Sequence, residues 1–94
     1  MYIGKVIGTA VATRKVEELV GQKFLLVKIG IGETGGAPPP AAPVHVAADT
    51  VGAGVGETVI IALGGAAREI TGNQGLPLDA AVIGIVSNLE IHDE

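Results

Sequence analysis

The residues best suited to chemistry in this sequence are a glycine-spaced run, two histidines, one serine and one isolated arginine. The run is Gly52-Ala53-Gly54-Val55-Gly56. A dinucleotide fingerprint needs a strand before its glycines, a helix after them and a different spacing, and a phosphate loop needs a Lys-Ser/Thr pair following. Here the glycines lead into Glu57 and another strand-like segment. The pattern therefore predicts a structural turn built on Asp49, Gly52, Gly54 and Gly56, with the glycines supplying positive φ or close chain approach. His45 and Asp49 are four apart, roughly 13 Å along one face of a strand, too far for a hydrogen-bonded dyad. His92 sits in the acidic tail Glu90-Ile91-His92-Asp93-Glu94. Two scattered histidines do not make a zinc site, which usually takes three or four ligands. Ser87 has no base near it in sequence and reads as a strand-edge hydroxyl. These residues predict no catalytic, cofactor or metal site and no enzyme.

Arg68 is the exception. It is the only arginine in the second half of the chain and closes the small-residue run Gly64-Gly65-Ala66-Ala67. Its bland reading is a solvated helix residue. Its functional reading is a charge at a subunit contact or a central opening, with Gly64, Gly65, Ala66 and Ala67 permitting close approach of a neighbour.

The elements that position these residues are short strands, marked by β-branched residues between glycines. The first is expected from Tyr2 to Thr13, its even positions mostly glycine and alanine, a face that lets another backbone approach closely. A polar turn or single helical turn over Arg14 to Leu19, closed by Gly21, leads to a second strand from Gln22 to Ile29. The loop from Gly30 to Pro43 holds four glycines and four prolines. Its Pro38-Pro39-Pro40 favours a polyproline II conformation and cannot join a central ladder. This loop is the one segment that reads as exposed and tolerant of change. Strands from Val44 to Thr50 and from Glu57 to Leu63 come next, then a short helix from Gly64 to Ile70, broken by Gly72-Asn73-Gln74-Gly75. The last strand is expected from Ala81 to His92, burying Ile83, Ile85, Leu89 and Ile91 on one face. Five or so strands with one short helix predict a mainly all-β chain, a small β-barrel in one domain over residues 1–94. The runs Phe24-Leu25-Leu26-Val27 and Val59-Ile60-Ile61-Ala62-Leu63 are apolar on both faces. One face can fill the barrel, and the other needs a neighbour.

Composition asks for the same neighbour. Hydrophobic residues are 48% of the 94 and glycine adds 15 more residues, while charged residues are only 17%. Ordinary domains carry about 25% charge. A chain this small has a large surface to cover, so copies of itself are the simplest cover for its surplus apolar surface. With no cysteine, disulfides and thiolate metal sites are excluded. The cysteine count fits a cytoplasmic setting, and the opening residues lack the pattern of a signal peptide. No apolar run approaches the roughly 20 residues of a membrane helix. The net charge of −4, with one Tyr and one Phe, argues against a nucleic-acid partner, which would need clustered cations and stacking aromatics.

Four segments together resemble the EutN/CcmL proteins. Lys5-Val6-Ile7-Gly8-Thr9-Ala10-Val11-Ala12-Thr13 is similar to their first strand, and Asp49-Thr50-Val51-Gly52-Ala53-Gly54-Val55-Gly56 to their most recognisable signature. Gly64-Gly65-Ala66-Ala67-Arg68 resembles their small-residue segment ending in Ala-Arg, and Pro77-Leu78-Asp79-Ala80-Ala81-Val82-Ile83-Gly84-Ile85-Val86 their closing motif. The resemblance implies a five-stranded, OB-like barrel. It implies pentamers that occupy the vertices of carboxysomes and related bacterial microcompartments, where a flat sheet of hexameric shell proteins needs pentagons to close into a polyhedron. The reading set against it is an OB-like binding module for nucleic acid or another ligand.

Overall fold

The computed structural model describes residues 1–11, 17, 23–32, 36–70 and 79–92, with only the backbone of Arg68 and Ile70. The element order is β1 (Tyr2–Ala10), β2 (Phe24–Ile29), β3 (Val44–Asp49), β4 (Thr58–Leu63), α1 (Gly65–Ile70) and β5 (Ala80–Ile85). The strands close into a barrel in the order β1-β2-β3-β5-β4. All neighbours are antiparallel except β3 and β5, which are parallel and meet only at Ala48↔Ala81 and Asp49↔Val82. The expected turn over residues 14–19 apart from Glu17, its closing Gly21, and the break at residues 72–75 lie outside the described residues.

Alternation along each strand fills the barrel. Val6 of β1, Leu25 and Val27 of β2, Ala47 of β3, Val59 and Ile61 of β4, and Ala80 and Val82 of β5 form one buried cluster with Ala53. Each large aliphatic side chain taken from water there contributes about 1.5–3 kcal/mol. Ile29 and Leu63 pack against the cluster from one end. β1 carries a bulge between Val6 and Gly8, which leaves Ile7 without a partner in the ladder and 47% exposed. Gly4 is the point of closest approach: a Cβ there would lie 2.6 Å from the Lys28 carbonyl oxygen and 2.7 Å from Val27 Cγ1. That position admits only glycine without movement of β2.

β1 ends at Ala10 with Val11 outside the strand, and the last two residues of the expected strand, 12 and 13, lie outside the described residues. The larger correction concerns β5, which ends at Ile85 and not at His92. Its buried parity also differs from expectation. Ala80 and Val82 face the barrel, whereas Ile83 packs outside it in a second cluster with Ala62, Ala67 and Ala81, and Ile85 is 41% exposed. The physical reason is α1. The helix lies across the outer side of β4 and β5 with Ala67 fully buried, so β5 has an apolar residue on both faces and alternation alone does not say which one points inward. Residues 86–92 form neither strand nor helix, although Val86 still donates to the Thr58 carbonyl at 2.8 Å.

In the segment between β2 and β3, Ile29 donates to the Pro43 carbonyl at 2.8 Å and Gly30 to the Ile3 carbonyl at 2.7 Å. Ala42 donates to the Pro39 carbonyl at 3.0 Å, so the proline run ends in a turn.

Candidate functional site

Among the described residues the polar contacts concentrate in the connection from β3 to β4. Asp49, the last residue of β3, turns its carboxylate onto the next few residues of the chain. Its Oδ1 accepts the backbone N–H groups of Val51 and Gly52, each at 3.1 Å, and of Ala53 at 3.3 Å. Its Oδ2 lies 3.5 Å from Lys23 Nζ, with the aspartate side chain only 2% exposed. Burial alone raises the pKa of this carboxyl, but the amides of Val51, Ala53 and Gly52 and the Lys23 ammonium outweigh it, and the result lies below the usual 3.8. The lysine is mostly exposed, so the ion pair is the minor part of this arrangement.

The rest of the connection is fixed from its other end. Thr50 Oγ1 donates to the Val82 carbonyl at 2.7 Å, tying the turn to β5. Glu57 Oε1 accepts the Gly54 N–H, 2.6 Å away, and the Glu57 N–H returns a bond to the Gly54 carbonyl at 3.1 Å. Gly56 donates to the Val6 carbonyl at 2.8 Å and Val6 to the Glu57 carbonyl at 3.0 Å, which joins the turn to the β1 bulge. Gly52 and Gly56 hold φ of 78° and 93° with open space where a Cβ would be, so conformation and not crowding selects glycine there. Gly54 has no positive φ. Ala53 is driven into the barrel core. Successive N–H groups of this kind can cradle a phosphate. Here the amides of residues 51–54 already bind the protein's own carboxylates from Asp49 and Glu57. Lys23, Thr50 and Glu57 were not singled out from sequence. Glu57, three residues after Gly54, is the one whose spacing carried a signal.

The second candidate segment surrounds α1. Gly64 has a φ of 65° and donates to the Asp79 carbonyl at 2.8 Å, and Ala67 donates to the Gly64 carbonyl at 3.1 Å. Ala67 is buried against its own protomer and is not available to a neighbour, a correction to its place among the contact candidates. Gly65 and Ala66 are exposed. Arg68 lies on α1, one helical turn after Gly64. The structure does not bring this segment to the Asp49 turn.

His45 and Asp49 stay apart in function as well as in sequence. His45 lines a depression of about 270 Å³ at one mouth of the barrel with Tyr2, Ile29, Pro43 and Leu63, while Asp49 is engaged in the turn. Ser87 lines a second depression with Thr58, Val86, Asn88 and Leu89. No set of three or more potential metal ligands converges among the described residues, and no helix among them is long and apolar enough to cross a membrane. The outer surface carries exposed apolar side chains, among them Val44 at 49% and Val46 at 54%.

The family described as "Ethanolamine utilisation protein EutN/carboxysome" matches residues 1–87. The chain is 44% identical over 91 residues to the carboxysome shell vertex protein CcmL of Gloeobacter violaceus, covering 97% of this chain and 87% of that protein. It is 47% identical over 90 residues to the bacterial microcompartment shell vertex protein GrpN of Rhodospirillum rubrum, covering 96% and 97%. The solved structure of Gloeobacter violaceus CcmL superposes with a TM-score of 0.85 at 45% identity, over 97% of this chain and 90% of that one. The GrpN pentameric microcompartment shell protein superposes with a TM-score of 0.82 at 44% identity, over 98% and 100%.

Proposed function

The chain belongs to the EutN/CcmL family, and from that premise we propose that it caps the vertices of a polyhedral bacterial microcompartment as a pentamer. The observation that carries this reading is the match to two shell vertex proteins over nearly the whole of each chain, with the same barrel in a pentameric relative. The half-exposed valines of β3 and the low charge content supply the apolar surface that a closed ring covers. The role is structural and not enzymatic: the densest polar cluster among the described residues, around Asp49, spends its donors and acceptors on the chain's own backbone.

Pentagons cannot tile a plane, so the ring alone stays a soluble particle, and its contacts to hexameric shell tiles come from its rim. Native mass spectrometry is expected to give five chains. Co-expression with hexameric shell proteins is expected to give closed particles in electron micrographs, and omission of this chain open or elongated ones. Equally closed shells without it, and without a substitute vertex protein, would remove the role.

Gly64, Gly65, Ala66 and Arg68 are proposed to face the ring's axis or a subunit contact. Five symmetry-related arginines near an axis would make a positive spot on an acidic protein and draw in small anions. Arg68→Ala is expected to weaken binding of inorganic phosphate by the ring several-fold, read by calorimetry at low salt. A ring of unchanged mass that binds phosphate as before would dismiss this placement.

A further inference from the structure

Closure of this barrel is incomplete along one strand. In the ladder between β2 and β3, Asp49 donates to the Lys23 carbonyl and Ile29 to the Pro43 carbonyl, each at 2.8 Å. Antiparallel pairing alternates, so in the register Leu25↔Ala47 and Val27↔His45 it is the odd residues of β3 that exchange bonds with β2. The N–H and C=O groups of Val44 and Val46 point to the opposite edge. β5 reaches that edge only at Ala48 and Asp49. Val44 and Val46 therefore have no backbone partner among the described residues, and their side chains are 49% and 54% exposed. A bare strand edge flanked by apolar side chains is a template for another strand.

We infer that this edge is filled in the ring by residues 86–92 of the adjacent protomer, which add a strand beside Val44–Val46. The inference rests on the pentameric reading above, because five-fold symmetry restricts the occupant. A ring of five uses a head-to-tail contact between two different patches, whereas pairing of β3 with β3 would be two-fold and stop at a dimer. The occupant is thus a different segment, extended and with its own N–H groups unused. Residues 36–43 fail, since Pro38, Pro39, Pro40 and Pro43 have no N–H to give. Residues 86–92 have no regular structure; past Val86, whose N–H goes to the Thr58 carbonyl, none of them donates a backbone hydrogen bond among the described residues, and they carry Leu89 and Ile91 at the two-residue spacing of Val44 and Val46, with Ile91 46% exposed. Lys28, opposite Val44 on β2, sets a cation at this end of the barrel, and Glu90 brings a carboxylate.

The segment cannot fill the edge of its own barrel. From the crossing at Ala48↔Ala81, β3 runs back to Val44 and β5 runs on to Ile85, in opposite directions. Each arm is four residues, roughly 13 Å, so the tail starts about 26 Å from Val44. Its seven residues span roughly 23 Å when extended.

Val46→Pro tests the backbone contact. It deletes only an N–H that the barrel does not use, which a strand edge tolerates, and Val46→Ala controls for the side chain. Native mass spectrometry across a dilution series is expected to show Val46→Pro shifted from pentamer to monomer at least tenfold earlier than Val46→Ala. Because the chain has no cysteine, Val46→Cys combined with Leu89→Cys or with Ile91→Cys provides a second reading that survives a misfolded proline variant. Oxidation of at least one pair is expected to give a ladder of covalent oligomers on a denaturing gel. A folded Val46→Pro ring as dilution-resistant as Val46→Ala, or pentamers of both cysteine pairs that give no inter-chain disulfide, would overturn the inference while leaving the pentamer intact. A wild-type chain that is not a pentamer would overturn both.

Discussion

Gly4→Ala is expected to lower the urea midpoint of unfolding sharply, by the equivalent of about 3 kcal/mol, at the upper end of what overpacking usually costs. The new Cβ would sit 2.6 Å from the Lys28 carbonyl oxygen. That oxygen is backbone, held in the ladder between β1 and β2, and cannot rotate away as a side chain could. Relief requires β1 and β2 to separate where β1 is also paired with β4 through Gly4↔Val59. Gly8→Ala is the control on the same strand. Its nearest neighbour is the tip of Leu26, Cδ1 at 3.4 Å, and the gain from a stiffer unfolded chain roughly offsets the contact, so a change under about 1 kcal/mol is expected. Both variants are compared at one protein concentration, because a ring's stability depends on it. Equal midpoints for the two would show that the close approach at Gly4 carries no energetic weight.

The second large effect is expected at Asp49. Asp49→Ala removes the acceptor of three amides at once. The amides of Val51 and Gly52 are near solvent and recover water. Ala53 is 1% exposed, so its amide does not. With one buried donor orphaned and the bonds to a charged acceptor lost, the expected destabilisation is about 2 kcal/mol. Asp49→Asn keeps an oxygen in place and is expected to cost about half as much. Acid titration separates charge from shape. The folded pKa lies below the unfolded value of 3.8, so the stabilisation by the carboxylate is present above pH 3.8 and is lost as the pH falls through the folded pKa. Wild type is therefore expected to lose its advantage over Asp49→Asn progressively below pH 3.8. An advantage that stays constant down the acid limb would mean that the charge contributes nothing.

How much of the fold and of the turn was legible in the sequence depends on the physics behind each part. The strands β2, β3 and β4 were legible to within two residues because their β-branched runs end at charged residues, glycine or proline. The barrel was legible from the same runs. The surplus of apolar faces was legible from Leu26, Ile60 and their neighbours, which a single barrel cannot bury. The bulge at Ile7 was not, since nothing in Lys5-Val6-Ile7-Gly8 distinguishes a shifted register from a regular one. Nor was the inward parity of β5, where Val82 and Ile83 are equally apolar and only the position of α1 separates them. At the Asp49 turn, the glycines announced a turn, but the carboxylate that organises it is a three-dimensional fact. Its oxygen reaches forward two to four residues, and the lysine beside it comes from the neighbouring strand's start, far away in sequence. The open edge at Val44 and Val46 was invisible for the same reason, because an unpaired amide looks no different in sequence from a paired one.

The strand order also dictates when this protein can finish folding on the ribosome. β1 leads the chain, yet it is shared between β2 and β4. β1, β2 and β3 form a meander as they emerge, but Tyr2–Lys5 must wait for Thr58–Ile61 before their second edge is paired. At roughly 5–20 residues per second, that edge stays bare for seconds in every nascent copy. The chain that later assembles by covering apolar surface thus passes through a stage in which it exposes more of it, and the contacts that end this stage are the most distant in sequence.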